Sequence, residues 1–374
     1  MGPGNHDARQ GRRGPCPSAC HRGGGPLYDA LLDLYEPGST AESLAPLFAR
    51  LRSELAPLVA AVAASGRTVD ESPALGRFPL EAQRTLGLEA AAAVGFDFEA
   101  GRLDPATHPF CVGFHPQDVR LTWRWQEDDF RPGLYGVLHE TGHGLYEQGL
   151  PQHWFRTPIG DAVSLGIHES QSRLWENHVG RGRAFWRWLL PRFRELFSGS
   201  ARVTVEELWP ALHVIRPSLI RVEADEATYN MHIVVRFEIE RALFAGEIAV
   251  DELPERWNQL YEELLGLRPG NDAEGVLQDI HWSMGSFGYF PTYTQGTLAA
   301  AQLFAAAERS HGGLDESFAR GDFSPLTLWL REHVHRHGSF HSPRELLVAA
   351  TGEALSPEPF LAYLKGVAGE VYGV

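Results

Sequence analysis

Two histidines four residues apart, with a glutamate directly after the first, restrict what this chain can fold into; they lie in the stretch VLHETGHGLYEQ. Pro-Gly at 132–133 precedes the stretch and Gly-Leu-Pro at 149–151 follows it, which is typical of the start and end of a helix. Residues i and i+4 of a helix share a face, so His139 and His143 can present both imidazoles to one metal ion, with Glu140 beside them. The fold must then bring a third ligand to this helix.

That third ligand has to come from outside the motif helix, because a catalytic zinc site takes three protein ligands and an open position for water. The next predicted helix, SLGIHESQSRLWENHVG at 164–180, follows a loop long enough to turn the chain back antiparallel. Packed against the motif helix, it would direct Glu169 towards the metal. His168 and Glu176 are alternative ligands, and an exposed Glu169 paired with Arg173 at i+4 is the interpretation without a metal.

Three glycines, Gly136, Gly142 and Gly144, lie inside the motif helix, where each costs roughly 0.5–1 kcal/mol relative to alanine. A helix that keeps them is expected to need close backbone approach or room for a ligand. The alternative is a surface helix with two solvated histidines.

The rest of the chain reads as mainly helical. Apolar spacing predicts helices within 26–40 and 41–66, separated by a break at 36–38, and a third helix within 79–101. Apolar and polar residues alternate between 108 and 126, which predicts one or two strands. Everything after Pro132 is predicted to be helical, with loops at 149–163, 198–203, 266–274 and 283–296. We therefore predict a mainly α fold with a small β-sheet beside the motif helix.

Composition restricts the partners. The 374 residues carry a net charge of −15, and the first 25 contain an excess of arginine, so the remaining body is more acidic still. An acidic body argues against nucleic acid and anionic membranes as partners, but not against peptides. The chain lacks the run of about 18 apolar residues that would predict a transmembrane helix.

The N-terminal segment 1–25 is rich in Gly, Pro and Arg and has no apolar stretch typical of a secretory signal. We predict a disordered tail there, one domain over 26–374, and a cytoplasmic protein. Cys16, Cys20 and His21 in the tail are a weaker alternative metal site. With only three cysteines, no disulfide framework is expected.

Further short motifs are spread along the chain beyond the histidine pair. They are HPF at 108–110, DVRLT at 118–122, HESQ at 168–171, IRVEAD at 220–225, GVLQDIHW at 275–282 and GYFPTYTQG at 288–296. Together with HETGH, they resemble the carboxypeptidase Taq (M32) family of metallocarboxypeptidases, from about Leu27 to the C-terminus. The resemblance implies a zincin-like helical metallopeptidase and a homodimer. It also implies that His139, His143 and Glu169 bind zinc, for which cobalt substitutes, and that Glu140 is the general base.

The sequence departs from the family in two places. Family members have a longer N-terminal helical region that partly covers the substrate groove, so the resemblance implies a less closed groove here. Trp123 and Trp125 stand where the family more often has Thr and Tyr, which is expected to alter substrate selection.

Recognition of a free C-terminal carboxylate is best performed by the planar fork of an arginine. A helix is predicted from Pro217 to Phe244, and its polar stripe follows helical spacing through Arg221, Asp225, Thr228, His232 and Arg236. Such a stripe is usually a solvated face. The family motif favours Arg221 as the carboxylate anchor, with Asp225 orienting it; Arg120 is the rival anchor, and His232 is a further substrate-binding candidate.

The tetrahedral oxyanion of peptide hydrolysis needs a donor besides the metal. Tyr289, Tyr293 and His281 are candidates, because the glycine-rich segment around them can bring polar tips to a site. Plain core packing is the alternative for each of these side chains.

These observations predict a zinc-dependent carboxypeptidase that releases single C-terminal residues from peptides by means of a metal-activated water. A zinc endo-oligopeptidase is the nearest alternative, since its metal chemistry would be the same and only the closed end of the groove would differ. The second alternative is an inactive zinc-binding relative that lacks the N-terminal groove cover.

Overall fold

The computed structural model describes residues 26–374, so the predicted tail at 1–25 and the alternative site at Cys16, Cys20 and His21 lie outside the described residues. The described fold is mainly α-helical with one small sheet, as predicted. The elements are α1 Leu27–Leu32, α2 Ala41–Ala64, α3 Leu80–Ala93, β1 Gly101–Pro105, β2 Phe110–His115, β3 Asp118–Trp123, α4 Arg131–Gly149, α5 Leu165–Arg173, α6 Arg183–Leu196, α7 Val205–Leu212, α8 Tyr229–Phe244, α9 Leu253–Leu265, α10 Pro291–His311, α11 Asp315–Ala319, α12 Ser324–His333, α13 Pro343–Thr351 and α14 Glu358–Tyr372.

The sheet has the order β1-β3-β2, with β1 parallel and β2 antiparallel to the central strand β3. The predicted alternation is seen on β3 only in part: Val119, Leu121 and Trp123 are buried and Arg120 is exposed, but Thr122 on the predicted polar side is buried as well. Strand β1 was not predicted, because Leu103 is its only buried residue and so short a strand has little hydrophobic pattern. The sheet packs against α4, the motif helix.

Two helical predictions extend too far. The third helix ends at Ala93 instead of continuing towards 101, since Gly95 takes a φ of 105°, outside helical geometry. The helix predicted from Pro217 begins only at Tyr229. There the carboxylate of Asp225 accepts hydrogen bonds from the backbone N–H groups of Ala227 and Thr228, a turn that starts the helix.

The segment between α9 and α10 also differs from the prediction. No α-helix forms over 275–282, which is a series of turns. In contrast, α10 begins at Pro291, within the predicted loop 283–296, because proline is well suited to the first turn of a helix. Tyr293 is therefore a helical residue, whereas His281 and Tyr289 lie in the preceding turns.

Two hydrophobic clusters form the core. One contains the sheet, α4, α5 and α6, and the other contains α1, α2, α8, α9 and α14. Helix α10 supplies residues to both and packs along α5, which in turn packs against α4. Helix α5, which carries Glu169, is thus held between the motif helix and α10. Within residues 26–374, no helix combines the length and apolar character needed to cross a membrane.

Candidate metal centre

Three side chains from α4 and α5 converge as the sequence predicts. Glu169 Oε2 lies 3.5 Å from His139 Nε2 and 3.4 Å from His143 Nε2. The candidate ligand atoms of the three residues all lie within 4.8 Å of one another. Among the described residues, this is the group of His, Cys, Asp and Glu side chains whose spacing suits a metal ion.

The other ring nitrogen of each histidine is already engaged. His139 Nδ1 lies 2.8 Å from Glu176 Oε2, and His143 Nδ1 lies 3.0 Å from the carbonyl oxygen of His168. Such partners take the Nδ1 proton and leave the Nε2 lone pair for a metal. Glu176 and His168, the alternative ligands, therefore lie behind the histidines, and His168 Nε2 lies 3.0 Å from Glu147 Oε1.

Glu169 is buried and fixed from its own helix. Its Oε1 accepts a hydrogen bond of 2.8 Å from Arg173 Nε, and its Oε2 accepts one of 2.9 Å from Ser172 Oγ. Burial raises the pKa of Glu169, but the charges of His139 and Arg173 outweigh burial and hold it well below its usual range. The pair with Arg173 does form at i+4, although it is buried beside the histidines instead of being exposed.

The close backbone approach predicted from the glycines is present. A Cβ at Gly142 would overlap the carbonyl oxygen of Gln171 and lie 2.6 Å from Ser172 Cα, so α4 and α5 meet there without side chains between them. At Gly144 the close neighbour is a side chain, because a Cβ there would lie 2.6 Å from Cε2 of the Phe96 ring. Around Gly136 the nearest atom is 4.0 Å away, which leaves room beside Glu140 one turn further on.

Glu140 lies on α4 between the two histidines and is 6% exposed. Burial, reinforced by the negative charges of Glu169 and Glu176, raises its pKa to about 7, although His139 and Arg173 lower it. A carboxyl group with a pKa near neutrality is suited to both accept and donate a proton at neutral pH.

A second polar group surrounds Arg221, which is 6% exposed. Asp279 Oδ1 accepts hydrogen bonds from Arg221 Nε at 3.0 Å and from an Arg221 terminal nitrogen at 2.6 Å. Arg236 binds the other oxygen of the same carboxylate at 2.6 Å. The prediction that Asp225 orients Arg221 is wrong: Asp225 accepts from the backbone N–H groups of Arg216, Ala227 and Thr228. Asp279 holds the guanidinium of Arg221 instead. The stripe is therefore not a solvated face.

Tyr229 connects the two polar groups. Its hydroxyl accepts a hydrogen bond of 3.0 Å from Arg221, and the guanidinium of Arg173, the partner of Glu169, lies 4.3 Å from the centre of its ring. Sequence reasoning missed both Tyr229 and Asp279. Asp279 had a signal, since it lies inside the GVLQDIHW motif.

The oxyanion candidates lie beside Arg221. His281 Nε2 is 3.1 Å from the Tyr293 hydroxyl, and the Tyr289 and Tyr293 rings are 5.4 Å apart. Arg221 lies 5.0 Å from the centre of the Tyr293 ring. Burial raises the pKa of both tyrosines, and the nearby charge of Glu169 raises it further, so both keep their hydroxyl protons.

Two further candidates do not contact the proposed ligands or Arg221 directly. Arg120 is exposed on β3 and forms hydrogen bonds of 2.9 and 3.1 Å with Asp118. His232 is fully buried on α8, with Nδ1 2.9 Å from the Tyr261 hydroxyl. Neither residue touches the histidine pair, Glu169 or Arg221 through a hydrogen bond that the structure shows.

Comparisons with known proteins identify the same family that the sequence motifs resemble. A model of the Carboxypeptidase Taq (M32) metallopeptidases matches residues 16–367. The chain is 52% identical over 349 residues to thermostable carboxypeptidase 1 of Thermus thermophilus, which covers 93% of this chain and 68% of the relative. It is 43% identical to carboxypeptidase 1 of Bacillus subtilis over 92% of this chain and 69% of the relative.

Solved structures show the same relationship. The crystal structure of an M32 carboxypeptidase from Deinococcus radiodurans R1 superposes with a TM-score of 0.92 and 45% identity, over 96% of this chain and 72% of that structure. Family match, identity and fold agree with the ligand-like geometry of His139, His143 and Glu169. The chain therefore belongs to the carboxypeptidase Taq (M32) family and is a metallocarboxypeptidase, a peptide hydrolase with a metal cofactor.

Proposed function

We propose that this protein is a zinc-dependent carboxypeptidase that releases single residues from peptides with a free C-terminus. The observation that carries the proposal is the convergence of His139 Nε2, His143 Nε2 and Glu169 Oε2, with both Nδ1 atoms held from behind. Two neutral imidazoles and one carboxylate are a donor set of catalytic zinc sites, and the same donors also accept cobalt. Zinc bound there supplies Lewis acidity that activates a water and polarises the scissile carbonyl.

Glu140 is the general base of the proposed reaction. It stands on the helix face of both histidines, and its pKa of about 7 lets it take a proton from the water and return it to the leaving amine. The loose surroundings of Gly136, where a Cβ would lie 4.0 Å from its nearest neighbour, are the proposed approach of the peptide to this carboxylate. Arg173 and Ser172 keep Glu169 ionised and in place, so Glu140 is the carboxyl group left to carry the proton.

Arg221 is the proposed anchor of the substrate carboxylate. Asp279 holds its guanidinium from one side, and Tyr229, Tyr293 and His281 lie around it. Because Asp279 also binds Arg236, the cluster of two arginines and one carboxylate keeps a net positive charge that suits an anion. The hydroxyls of Tyr289 and Tyr293 are the donors proposed for the oxyanion. The homodimer and the cytoplasmic location stay predictions.

Zinc titration of the metal-free protein tests the ligand set. We expect the wild type to bind one zinc per chain and Glu169→Gln to bind it more than about 100-fold more weakly, because changing only the partners of ligands already costs 10–100-fold. The matched control is Glu262→Gln, an exposed glutamate on α9, which should bind zinc like the wild type. Equal zinc affinity of Glu169→Gln and the wild type would show that the third ligand lies elsewhere.

A further inference from the structure

Helix α5 carries a proposed metal ligand but is short. It has nine residues, and at Leu174–Val179 it continues as a π-helical segment that interrupts the regular hydrogen-bond pattern. Isolated helices shorter than about 12–15 residues are marginal in water, so tertiary contacts must hold α5. Glu169 lies in the middle of α5, and any shift of its first turn moves the carboxylate relative to the histidines.

The first turn of α5 is held largely by a segment far away in sequence. The carbonyl oxygen of Tyr35 accepts a hydrogen bond of 3.0 Å from the N–H of Leu165. Glu36 Oε2 accepts one of 2.8 Å from the N–H of Gly166. The N–H of the third helical residue bonds to Ser164 Oγ at 3.1 Å. Residues 35–36 thus satisfy two of the free N–H groups that every helix start presents.

Glu36 also contacts Ser164, the N-capping residue of α5. The Ser164 hydroxyl donates a hydrogen bond of 3.0 Å to Glu36 Oε1. This bond fixes the orientation of the hydroxyl, so the lone pairs of Ser164 Oγ face the N–H of Ile167. A Cβ at Gly166 would overlap Glu36 Oε2, so the glycine makes room for the carboxylate directly against the backbone. The carboxylate is 6% exposed and lies where the helix dipole favours a negative charge.

We propose that Glu36 is a positioning residue for the metal centre: its buried carboxylate fixes the N-terminal turn of α5 and thereby places Glu169 relative to His139 and His143. This inference rests on the proposed function in that Glu169 is taken as a metal ligand. Glu36 itself touches neither the metal ligands nor the substrate anchor in any hydrogen bond that the structure shows. Its action is mechanical, because Gly166 lies three residues, less than one turn, before Glu169.

The segment that carries Glu36 is well anchored and can serve as a fixed support. Tyr28 on α1 is buried and donates a hydrogen bond of 2.7 Å to Glu240 of α8. Ser39, just after Glu36, donates one of 3.0 Å to Gln295 of α10, the helix that packs along α5. Glu36 therefore links α5 to a segment that is itself bound to α8 through Tyr28 and to α10 through Ser39, and α10 packs along α5.

Zinc affinity, measured by competition with a chelator, tests the inference without relying on activity. We expect Glu36→Ala to bind zinc about 10–100-fold more weakly than the wild type. Glu36→Gln should recover part of the loss, because its amide oxygen still accepts from the N–H of Gly166. The visible absorption of the cobalt-substituted protein, which reports the ligand geometry, should change in both variants.

Glu308→Gln is the matched control, since Glu308 is a partly buried glutamate near the C-terminal end of α10 that forms no hydrogen bond with α5 or with residues 35–36 in the described structure. It should keep the zinc affinity and cobalt spectrum of the wild type. The inference is overturned if Glu36→Gln and Glu36→Ala bind zinc within twofold of the wild type with unchanged cobalt spectra, or if Glu308→Gln weakens zinc binding equally. If Glu36→Ala does not fold, the Glu36→Gln spectrum decides. Wild-type zinc affinity in Glu169→Gln would instead contradict the proposed ligand set.

Discussion

At the scale of single residues, Glu140 and Glu169 show how neighbouring carboxylates on two packed helices acquire different states. Arg173 and His139 lower the pKa of Glu169, whereas burial raises that of Glu140 to about 7. We expect Glu140→Gln to lower kcat by about 10²- to 10⁴-fold, because the amide cannot accept the proton of the water. Zinc stoichiometry, measured on the same samples, should stay at the wild-type value; a variant with wild-type kcat would exclude Glu140 as the base.

Glu240 makes the stability of the protein depend on pH. Burial raises its pKa to about 7, and hydrogen bonds from Trp282, Tyr28 and Gly288 lower it only in part. Because the pKa of Glu240 in the folded state lies above the ordinary value of 4.5, the folded state binds more protons than the unfolded state between about pH 4.5 and 7. The contribution of Glu240 to stability is therefore fully present below about pH 4.5 and is lost as the pH rises through about 7.

Glu240→Gln removes this titration. The free energy of unfolding of the wild type should fall relative to that of Glu240→Gln by up to about 3 kcal/mol between pH 4.5 and 8, at 1.36 kcal/mol per pKa unit. Urea unfolding of both proteins at several pH values measures the difference. A difference that stays constant over this range would contradict the raised pKa.

The spacing of residues within one element was readable from the sequence, and long-range partners were not. His139, Glu140 and His143 follow from helical periodicity alone. Asp279 was missed as the partner of Arg221, since 58 residues separate them and Asp225 offered a nearer carboxylate at what looked like helical spacing. The helix start at Tyr229 removed that spacing.

At the scale of elements, the contact between α4 and α5 places two of the proposed ligands, His139 and His143, against the third, Glu169. Gly142→Ala would push the Gln171 carbonyl and Ser172 away, and thus separate the helices. We expect the variant to lose about 1–3 kcal/mol of stability, as overpacked cores do, and to bind zinc more weakly.

Gly136→Ala on the same helix is the control, because its nearest neighbour is 4.0 Å away. It should leave zinc affinity unchanged and gain up to about 1 kcal/mol from helix propensity. Thermal unfolding of the metal-free proteins and zinc titration measure both effects. Equal behaviour of the two variants would mean that the close approach at Gly142 does not set the site.

The helices and strands were predicted correctly where the hydrophobic periodicity extends over many residues. The predictions were wrong where local polar contacts determine the backbone conformation. The motif helix and α2 match the predicted spans closely, and β2 and β3 lie within the predicted strand region. The turns at 275–282 contain Leu277 and Ile280 at helical spacing, yet both are exposed and no α-helix forms. A period shows which residues share a face, but not whether anything packs on that face.

At the scale of the whole molecule, the proposed site joins two hydrophobic clusters. Helices α4 and α5, which carry the proposed ligands, belong to one cluster, α8 with Tyr229 belongs to the other, and α10 packs into both. Arg173, the partner of Glu169, lies over the ring of Tyr229, the partner of Arg221, so the proposed metal site and the proposed substrate anchor are connected through these two residues. The proposed metal site and the proposed site for the substrate C-terminus therefore rest on the same two clusters, which α10 connects.

The most direct test of this account compares an unblocked peptide with its C-terminally amidated twin. Both are incubated with the zinc-loaded protein, with and without a chelator, and products are followed by mass spectrometry over time. In the same assay, the Arg221→Ala variant should cleave the unblocked peptide more slowly than the wild type, because it lacks the proposed anchor.

The account predicts stepwise loss of single C-terminal residues from the free acid alone, abolished by the chelator. Internal cuts in both peptides would contradict the proposed recognition of a free carboxylate and favour an endo-oligopeptidase. Absence of cleavage, with one zinc bound per chain, would contradict the proposal that this chain forms a working substrate groove.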